Sequence, residues 1–361
     1  MLREIYLRPL GLYPHARGEA AEAVWGGLHL AGGWLDFSAL EIIERNGARL
    51  ERRIAGLGEF MERDWGRRAL NASDMFEALA ADRPRLAGLA LDRPRIMGIV
   101  NVTPDSFSDG GRHATTEAAI THALRLVAEG ADILDIGGES TRPGSDPVSL
   151  DEELARVMPV IEALAGKVEA RLSIDTRKAE VMRRAHAAGV DMINDVSALM
   201  HDRQALEAAA ATGLPVCLMH AQGDPKTMQD EPRYDDVLTD VFDFLEARVE
   251  AALRAGIRRE RLMVDPGIGF GKTVAHNLQL MAGLSLFHAL GVPLVLGASR
   301  KRFIGAITGE TVAGERVIGS VAAAIAGVAQ GAQIIRVHDV KATRQGLDVW
   351  MACQTGSAPD A

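Results

Sequence analysis

From Arg95 onward, short runs of Val, Ile, Leu and Met alternate with longer Ala-rich amphipathic stretches. The runs at 96–102, 133–137, 171–174, 192–196, 216–219, 262–265, 294–297 and 334–337 predict strands, being too short and too continuously apolar for surface helices. Helical stretches begin near Thr116, Leu150, Lys178, Arg203, Asp235, Ala275, Arg316 and Lys341. Apolar strands separated by helices belong in a parallel sheet covered on both faces. Eight such units across about 250 residues give an α/β chain folded as a TIM (β/α)8 barrel, since open doubly wound sheets usually stop sooner.

The segment before this alternation reads differently. It holds Trp25, Trp34, Trp65, Tyr6 and Tyr13, whereas the barrel is poor in aromatics. Residues 25–30 and 34–43 flank the Gly32-Gly33 turn signal and predict a hairpin. The charge-rich stretches 44–53 and 59–80 predict helix in part. Two Asp-Arg-Pro-Arg repeats then break helices, so 82–94 reads as a linker. The expected organisation is an extension over 1–81 that forms a small α+β domain, the linker, a barrel over 95–354 and a tail over 355–361.

Composition narrows the function. Lys and Arg total 40 against 49 Asp and Glu, a net charge of -9, so no general positive field gathers nucleic acid or an anionic membrane. An anionic ligand must be held by a local cluster. Cys217 and Cys353 are the only cysteines and lie far apart, which supports neither a disulfide framework nor a structural zinc site. Cys217, inside an apolar run, reads as an inert buried thiol. No stretch of about 20 apolar residues occurs, and the expectation is a cytoplasmic protein.

Barrel enzymes place their chemistry at the C-terminal ends of strands. Those ends carry Asn101, Glu139 to Arg142, Asp175, Asn194, His220, Asp265, Ser299 to Lys301, Arg336 and His338. One such residue ordinarily caps a helix or meets solvent, as Asp175-Thr176 and Asn194-Asp195 could. Polar groups at the same end of every unit are harder to attribute to capping. Asp175, Asn194 and Asp265 with Lys301 suit a planar heterocycle bearing several N–H groups and a carbonyl. Asn101, Arg142, Arg336 and His338 suit phosphate oxygens, and Asn101 can also ligate a hard cation such as Mg²⁺. The run Pro266 to Thr273 imitates a P-loop, but Pro266 stands where the pattern needs Gly, and Lys272 breaks a dinucleotide fingerprint.

The strings MGIVNVTPDSFSDGGR from Met97, DILDIGGESTRPGSD from Asp132, SIDT from Ser173, INDVS from Ile193, Met219-His220, DPGIGFGKT from Asp265, Ser299-Arg300-Lys301 and RVHD from Arg336 occur in order. Together they make the chain resemble the dihydropteroate synthases. The resemblance implies a barrel transferase joining 6-hydroxymethyl-7,8-dihydropterin pyrophosphate to 4-aminobenzoate, with Mg²⁺ as cofactor. It further implies sulfonamides as competitive inhibitors, and a homodimer that takes up neither nucleic acid nor membrane.

By the same resemblance, Asp175, Asn194, Met219, Asp265, Phe270, Lys301 and Arg336 match pterin contacts. Asn101, Arg142, Arg336 and His338 match the pyrophosphate positions, with Asn101 at the metal. Asp105 and Phe107 of one loop and Thr141, Arg142 and Pro143 of another would close over 4-aminobenzoate, with Arg302 at its edge. Asp105, Lys301, Arg336 and His338 are the expected catalytic groups. Two positions depart from the family pattern: Arg302 stands where Ser is frequent, and Ala198 where Gly is common. A methyl-transferring pterin barrel would lack both loop strings. A catalytically silent barrel would be expected to have lost Asn101, Thr141, Lys301, Arg336 or His338.

Overall fold

The computed structural model describes residues 4–15, 27–47, 49–103, 111–140, 144–223 and 227–356. The N-terminal part contains β1 (Ile5–Leu10), β2 (Tyr13–Pro14), β3 (Leu28–His29), β4 (Leu35–Phe37), β5 (Ala39–Asn46), β6 (Arg49–Gly56), α1 (Leu57–Glu62) and α2 (Ala69–Ala80). Two antiparallel three-stranded sheets result, ordered β1-β5-β6 and β2-β4-β3. The Gly32-Gly33 turn does join two antiparallel strands, β3 and β4.

Stretch 44–53 is not helical. It belongs to the β5–β6 hairpin, in which Asn46 pairs with Arg49. Asn46-Gly47 is a strong hairpin turn signal, and Gly47 takes a φ of +65° that other residues reach only with strain. The charges that suggested a helix instead alternate across strands. Glu41 accepts from Arg8 at 2.8 Å, and Glu44 accepts from Arg63 at 2.7 Å and from Arg68.

The remaining strands are β7 (Arg95–Asn101), β8 (Ile133–Gly137), β9 (Arg171–Asp175), β10 (Met192–Asp195), β11 (Val216–Met219), β12 (Leu262–Asp265), β13 (Val295–Leu296) and β14 (Ile334–Val337). They form one parallel sheet ordered β12-β11-β10-β9-β8-β7-β14-β13, and a parallel bridge between Val264 and Leu294 joins its ends. Around it lie α3 (Gly111–Ala128), α4 (Leu150–Leu164), α5 (Ala179–Ala187), α6 (Ala205–Thr212), α7 (Val237–Arg254), α8 (Val274–Ala282), α9 (Arg302–Thr308), α10 (Val317–Val328) and α11 (Val340–Thr355). This is the TIM barrel expected from the alternation. Among the described residues, no helix is long and apolar enough to cross a membrane.

Two cores are separated by the strands. The inner one takes Met97, Ile133, Met192, Cys217, Met263, Val295 and Ile334 from the lower parts of seven strands, and Leu86 and Leu91 of the linker complete it. Leu86 and Leu89 bridge to each other, forming a small turn that stoppers the barrel base. Burying a leucine in this way contributes about 1.5–3 kcal/mol. Burial also pushes the Cys217 thiol far above its ordinary value.

The outer core continues without a break from the barrel helices into the N-terminal sheets. Tyr6 meets Phe242 edge-on at 5.5 Å, and its hydroxyl donates to Asp243 at 2.8 Å. Trp34 Nε1 donates to the Val328 carbonyl at 3.1 Å, and Ser285 donates to the Pro9 carbonyl at 3.0 Å. The buried guanidinium of Arg83 donates to the carbonyls of Ala78, Ala81 and His288, each at 2.8 Å. Linker and extension are thus packed parts of one molecule.

Candidate active site

The C-terminal strand ends open into a cleft of about 1830 Å³, lined among others by Asn101, Asp175, Asn194, Asp265, Lys301 and His338. Strand geometry explains the gathering. The strands are mostly apolar where they cross the barrel wall and turn polar towards their C-terminal ends, with Asp135 and Ser173 as polar exceptions within β8 and β9.

Deepest lies a network around Asp135, an aspartate in the middle of β8 that is wholly buried. Its Oδ1 accepts from Ser173 Oγ at 2.6 Å, and its Oδ2 accepts from Asn194 Nδ2 at 3.0 Å and from Arg336 Nε at 2.6 Å. Arg336 reaches across to donate from Nη2 to Asp175 Oδ2 at 2.7 Å. Burial pushes the Asp175 carboxyl up to about 7 against the pull of Arg336, and the charges of Asp135 and Asp195 add to the rise. Asn194 spends one of its two amide N–H donors on Asp135, which leaves its carbonyl oxygen among the groups able to meet a ligand.

Asp265 ends β12, and its Oδ1 accepts from the Gly267 N–H at 2.7 Å. Burial raises its carboxyl, while that hydrogen bond and the Lys301 charge oppose the rise. Gly267 has a φ of +67°, and a Cβ there would meet the His220 carbonyl oxygen at 1.9 Å, so only glycine fits. The Lys301 ammonium stands 4.0 Å above the Phe270 ring, an arrangement in which ring and cation attract.

Beneath this loop, Lys272 donates to His220 Nδ1 at 2.8 Å and to the Phe270 carbonyl at 2.9 Å. Burial pulls its ammonium down to about 7, opposed by the charge of Asp265. His220, one of the strand-end candidates, therefore braces the loop from below. Asp195 does likewise, accepting from Ser197 and Leu199 to shape the turn after β10.

At the phosphate-suited side, Ser299 Oγ lies 3.0 Å from His338 Nδ1 and accepts from the His338 N–H at 3.2 Å. Arg300, which lines the cleft beside Lys301, grips Asp339 through two hydrogen bonds of 2.9 and 2.5 Å. Asn101, Arg336 and His338 line the same cleft, as do Met219 and Phe270, and Arg302 lines it while remaining exposed. Asp105, Phe107, Thr141, Arg142 and Pro143 lie outside the described residues. Asp135 and Lys272 were not singled out from the sequence, although a charge inside the apolar run Ile133–Gly137 is a signal for the former.

The pterin binding enzyme model matches residues 97–338, two thirds of the chain. The dihydropteroate synthase of Escherichia coli K12 is 51% identical over 251 residues, covering 70% of this chain and 88% of that protein. The Xanthomonas albilineans dihydropteroate synthase, solved with 4-aminobenzoic acid, is 56% identical with a TM-score of 0.72, covering 75% of this chain and 98% of its own. A Yersinia pestis dihydropteroate synthase, solved in complex with a sulfonamide drug, is 52% identical with a TM-score of 0.71, covering 74% of this chain and 96% of its own. The sealed barrel, the acceptor-rich floor of its cleft and these matches agree that the chain belongs to the pterin-binding enzymes, within the dihydropteroate synthase family.

Proposed function

We propose that the cleft condenses 6-hydroxymethyl-7,8-dihydropterin pyrophosphate with 4-aminobenzoate, giving 7,8-dihydropteroate and pyrophosphate. The observation that carries this reading is the floor itself: Asp135, Asn194 and Asp265 are buried acceptors, Asp175 adjoins them, and Arg336 ties Asp175 to Asp135. A pterin ring edge, rich in N–H groups, answers such a floor. Asp265 accepts from ring N–H groups, Asn194 offers its carbonyl oxygen, Lys301 donates to the ring carbonyl, and Met219 and Phe270 flank the ring. Arg336, fixed by two carboxylates, lies against it.

In the reaction the methylene C–O bond breaks, and its electron pair leaves with pyrophosphate. The positive charge that develops spreads into the dihydropterin and is stabilised by the preorganised carboxylates below. The amine of 4-aminobenzoate then forms the C–N bond and gives a proton to water. It is a weak base that needs orientation more than deprotonation. His338, oriented by Ser299, and Arg336 would meet the departing phosphates.

Asn101 supplies a neutral amide oxygen on the cleft wall. Mg²⁺ takes oxygen ligands and keeps several waters beside substrate phosphates, so one protein oxygen suits it. Asn101 and the pyrophosphate would hold the ion, which when bound neutralises charge on the leaving group. Asp105, Phe107, Thr141, Arg142 and Pro143 enter as loop residues over 4-aminobenzoate, where sulfonamides would compete, on the strength of the resemblance. The reading carries with it a cytoplasmic, homodimeric protein.

The test supplies the full chain with dihydropterin pyrophosphate, labelled 4-aminobenzoate and Mg²⁺, and looks for dihydropteroate. Asp265→Asn is expected to weaken pterin binding by about 1–3 kcal/mol, because a donor then faces a donor. No product, or unchanged pterin affinity in calorimetry, would remove the assignment.

A further inference from the structure

Outside the cleft, the β2-β4-β3 sheet assembles a compact group of ionisable side chains. Asp36, central in β4, pairs directly with Tyr13 of β2 on one side and His29 of β3 on the other. Side chains alternate along a strand, so Asp36, Tyr13 and His29 share one face, and His15, two residues beyond Tyr13, joins them. Leu35 and Phe37 turn the other way, into the core.

The geometry within that face is close. His15 Nδ1 lies 2.8 Å from Asp36 Oδ1, and the His15 and His29 rings stack at 3.9 Å with 13° between their planes. Ligand-capable atoms of His15, His29 and Asp36 all lie within 4.8 Å of one another, and no other such group of three occurs among the described residues. His29 Nε2 sits 2.8 Å from the Gly33 carbonyl. A carbonyl can only accept, so Nε2 donates to it, and in the neutral ring the other nitrogen is the one able to bind a metal. Metal-bound histidines characteristically have such an outer partner, which fixes tautomer and ring orientation.

The strands themselves supply a second reason. They are two, two and three residues long, and so short a sheet has few ladder bonds of its own. A metal held by side chains on or beside all three strands would tie them together.

We propose that His15, His29 and Asp36 bind a divalent first-row transition ion of the Zn²⁺ type, which clips β2, β3 and β4 together. Two imidazoles and one carboxylate are a nitrogen-and-oxygen set that suits zinc, with water completing the tetrahedron. Without the ion, a proton bridges His15 and Asp36. With it, two bonds of about 2.0–2.1 Å at a tetrahedral angle set the same atoms about 3.4 Å apart, an opening of well under 1 Å. The three residues lie outside the span matched by the family model, so the site would be an acquisition of this chain's extension.

The test titrates Zn²⁺ into the full chain, stripped with chelator and then saturated with Mg²⁺, by calorimetry and thermal melting. One equivalent is expected to bind and raise Tm. His29→Gln and His15→Gln should each weaken binding by about 10-fold or more, while turnover stays unchanged. Co²⁺ in place of Zn²⁺ should give the visible absorption of tetrahedral coordination, and His15→Gln should abolish it. The His15 side chain is 37% exposed, so its variant is expected to fold even where His29→Gln does not. Binding no tighter than millimolar, or an equivalent that persists undiminished in His15→Gln, overturns the proposal.

Discussion

Replacing Arg336 with Met keeps most of the length and apolar stem of the side chain and deletes the one cation that holds Asp135 and Asp175 apart. Its bonds to them are 2.6 and 2.7 Å long, and Asp135 has no exposed surface. Removing one member of a buried ion pair costs about 3–5 kcal/mol, because the abandoned charge keeps its desolvation penalty. The loss should depend on pH. Asp175 titrates at about 7 with Arg336 present, well above an unfolded carboxyl near 3.9, and without Arg336 it must rise further. A folded pKa raised above the unfolded one contributes stability that is complete below about pH 4 and is lost as pH climbs through the folded value. Each further unit of rise costs about 1.4 kcal/mol once pH exceeds both values. Asp175 stays largely protonated in both proteins up to about pH 6.5, so urea denaturation of ligand-free wild type and Arg336→Met should show a similar gap at pH 5 and 6.5 and a wider one at pH 8. A constant gap, or one under about 1 kcal/mol at pH 8, would refute this account of the cleft floor.

Ala198 holds a φ of +52°, a left-handed conformation that costs a residue with a Cβ about 1–2 kcal/mol, so Ala198→Gly should raise the urea midpoint despite glycine's greater unfolded freedom. A lower midpoint would show that the turn carries no strain. Arg302 lines the cleft with its side chain exposed, and Arg302→Ser should raise KM for anionic 4-aminobenzoate by about 1 kcal/mol more than it raises Ki for a neutral sulfonamide; equal shifts would leave it a surface residue. A chain beginning at Asp92 loses Leu86 and Leu89 from the barrel base together with Tyr6, Trp34 and Arg83, and is expected to aggregate. A soluble truncation with full pterin affinity would show that the shared core is dispensable.

The barrel strands were legible because each is a continuous apolar run bounded by turn residues, a signal that needs no knowledge of tertiary contacts. That Asn101, Asp175, Asn194, Asp265, Lys301, Arg336 and His338 share one cleft was legible for a related reason: a strand end is a position in sequence as much as in space. Asp135 was not, since it lies inside a strand and acquires meaning only when Arg336, some two hundred residues away, folds onto it. The β5–β6 hairpin was misread because alternating Arg and Glu satisfy either period, and Asn46-Gly47 was the discriminating turn. Linker 82–94 likewise carries prolines and charges that say loop, while the burial of Leu86 depends on an open barrel base that no local pattern announces.

The cleft at the barrel mouth is a cup rather than a tube, because Met97, Ile133, Met192, Cys217, Met263, Val295 and Ile334 fill the barrel beneath it. Asp265 and Asn194 lie on its floor, at the C-terminal ends of their strands and 4% and 5% exposed, while Arg302 is exposed at its lip. Traffic in a cup is last in, first out: whatever rests on the floor must arrive before the lip is occupied, and cannot depart beneath its partner. On the proposed reading, the order of binding follows from the depth of the cleft, and the inner-core side chains packed under its floor, remote from any reacting atom, take part in setting it.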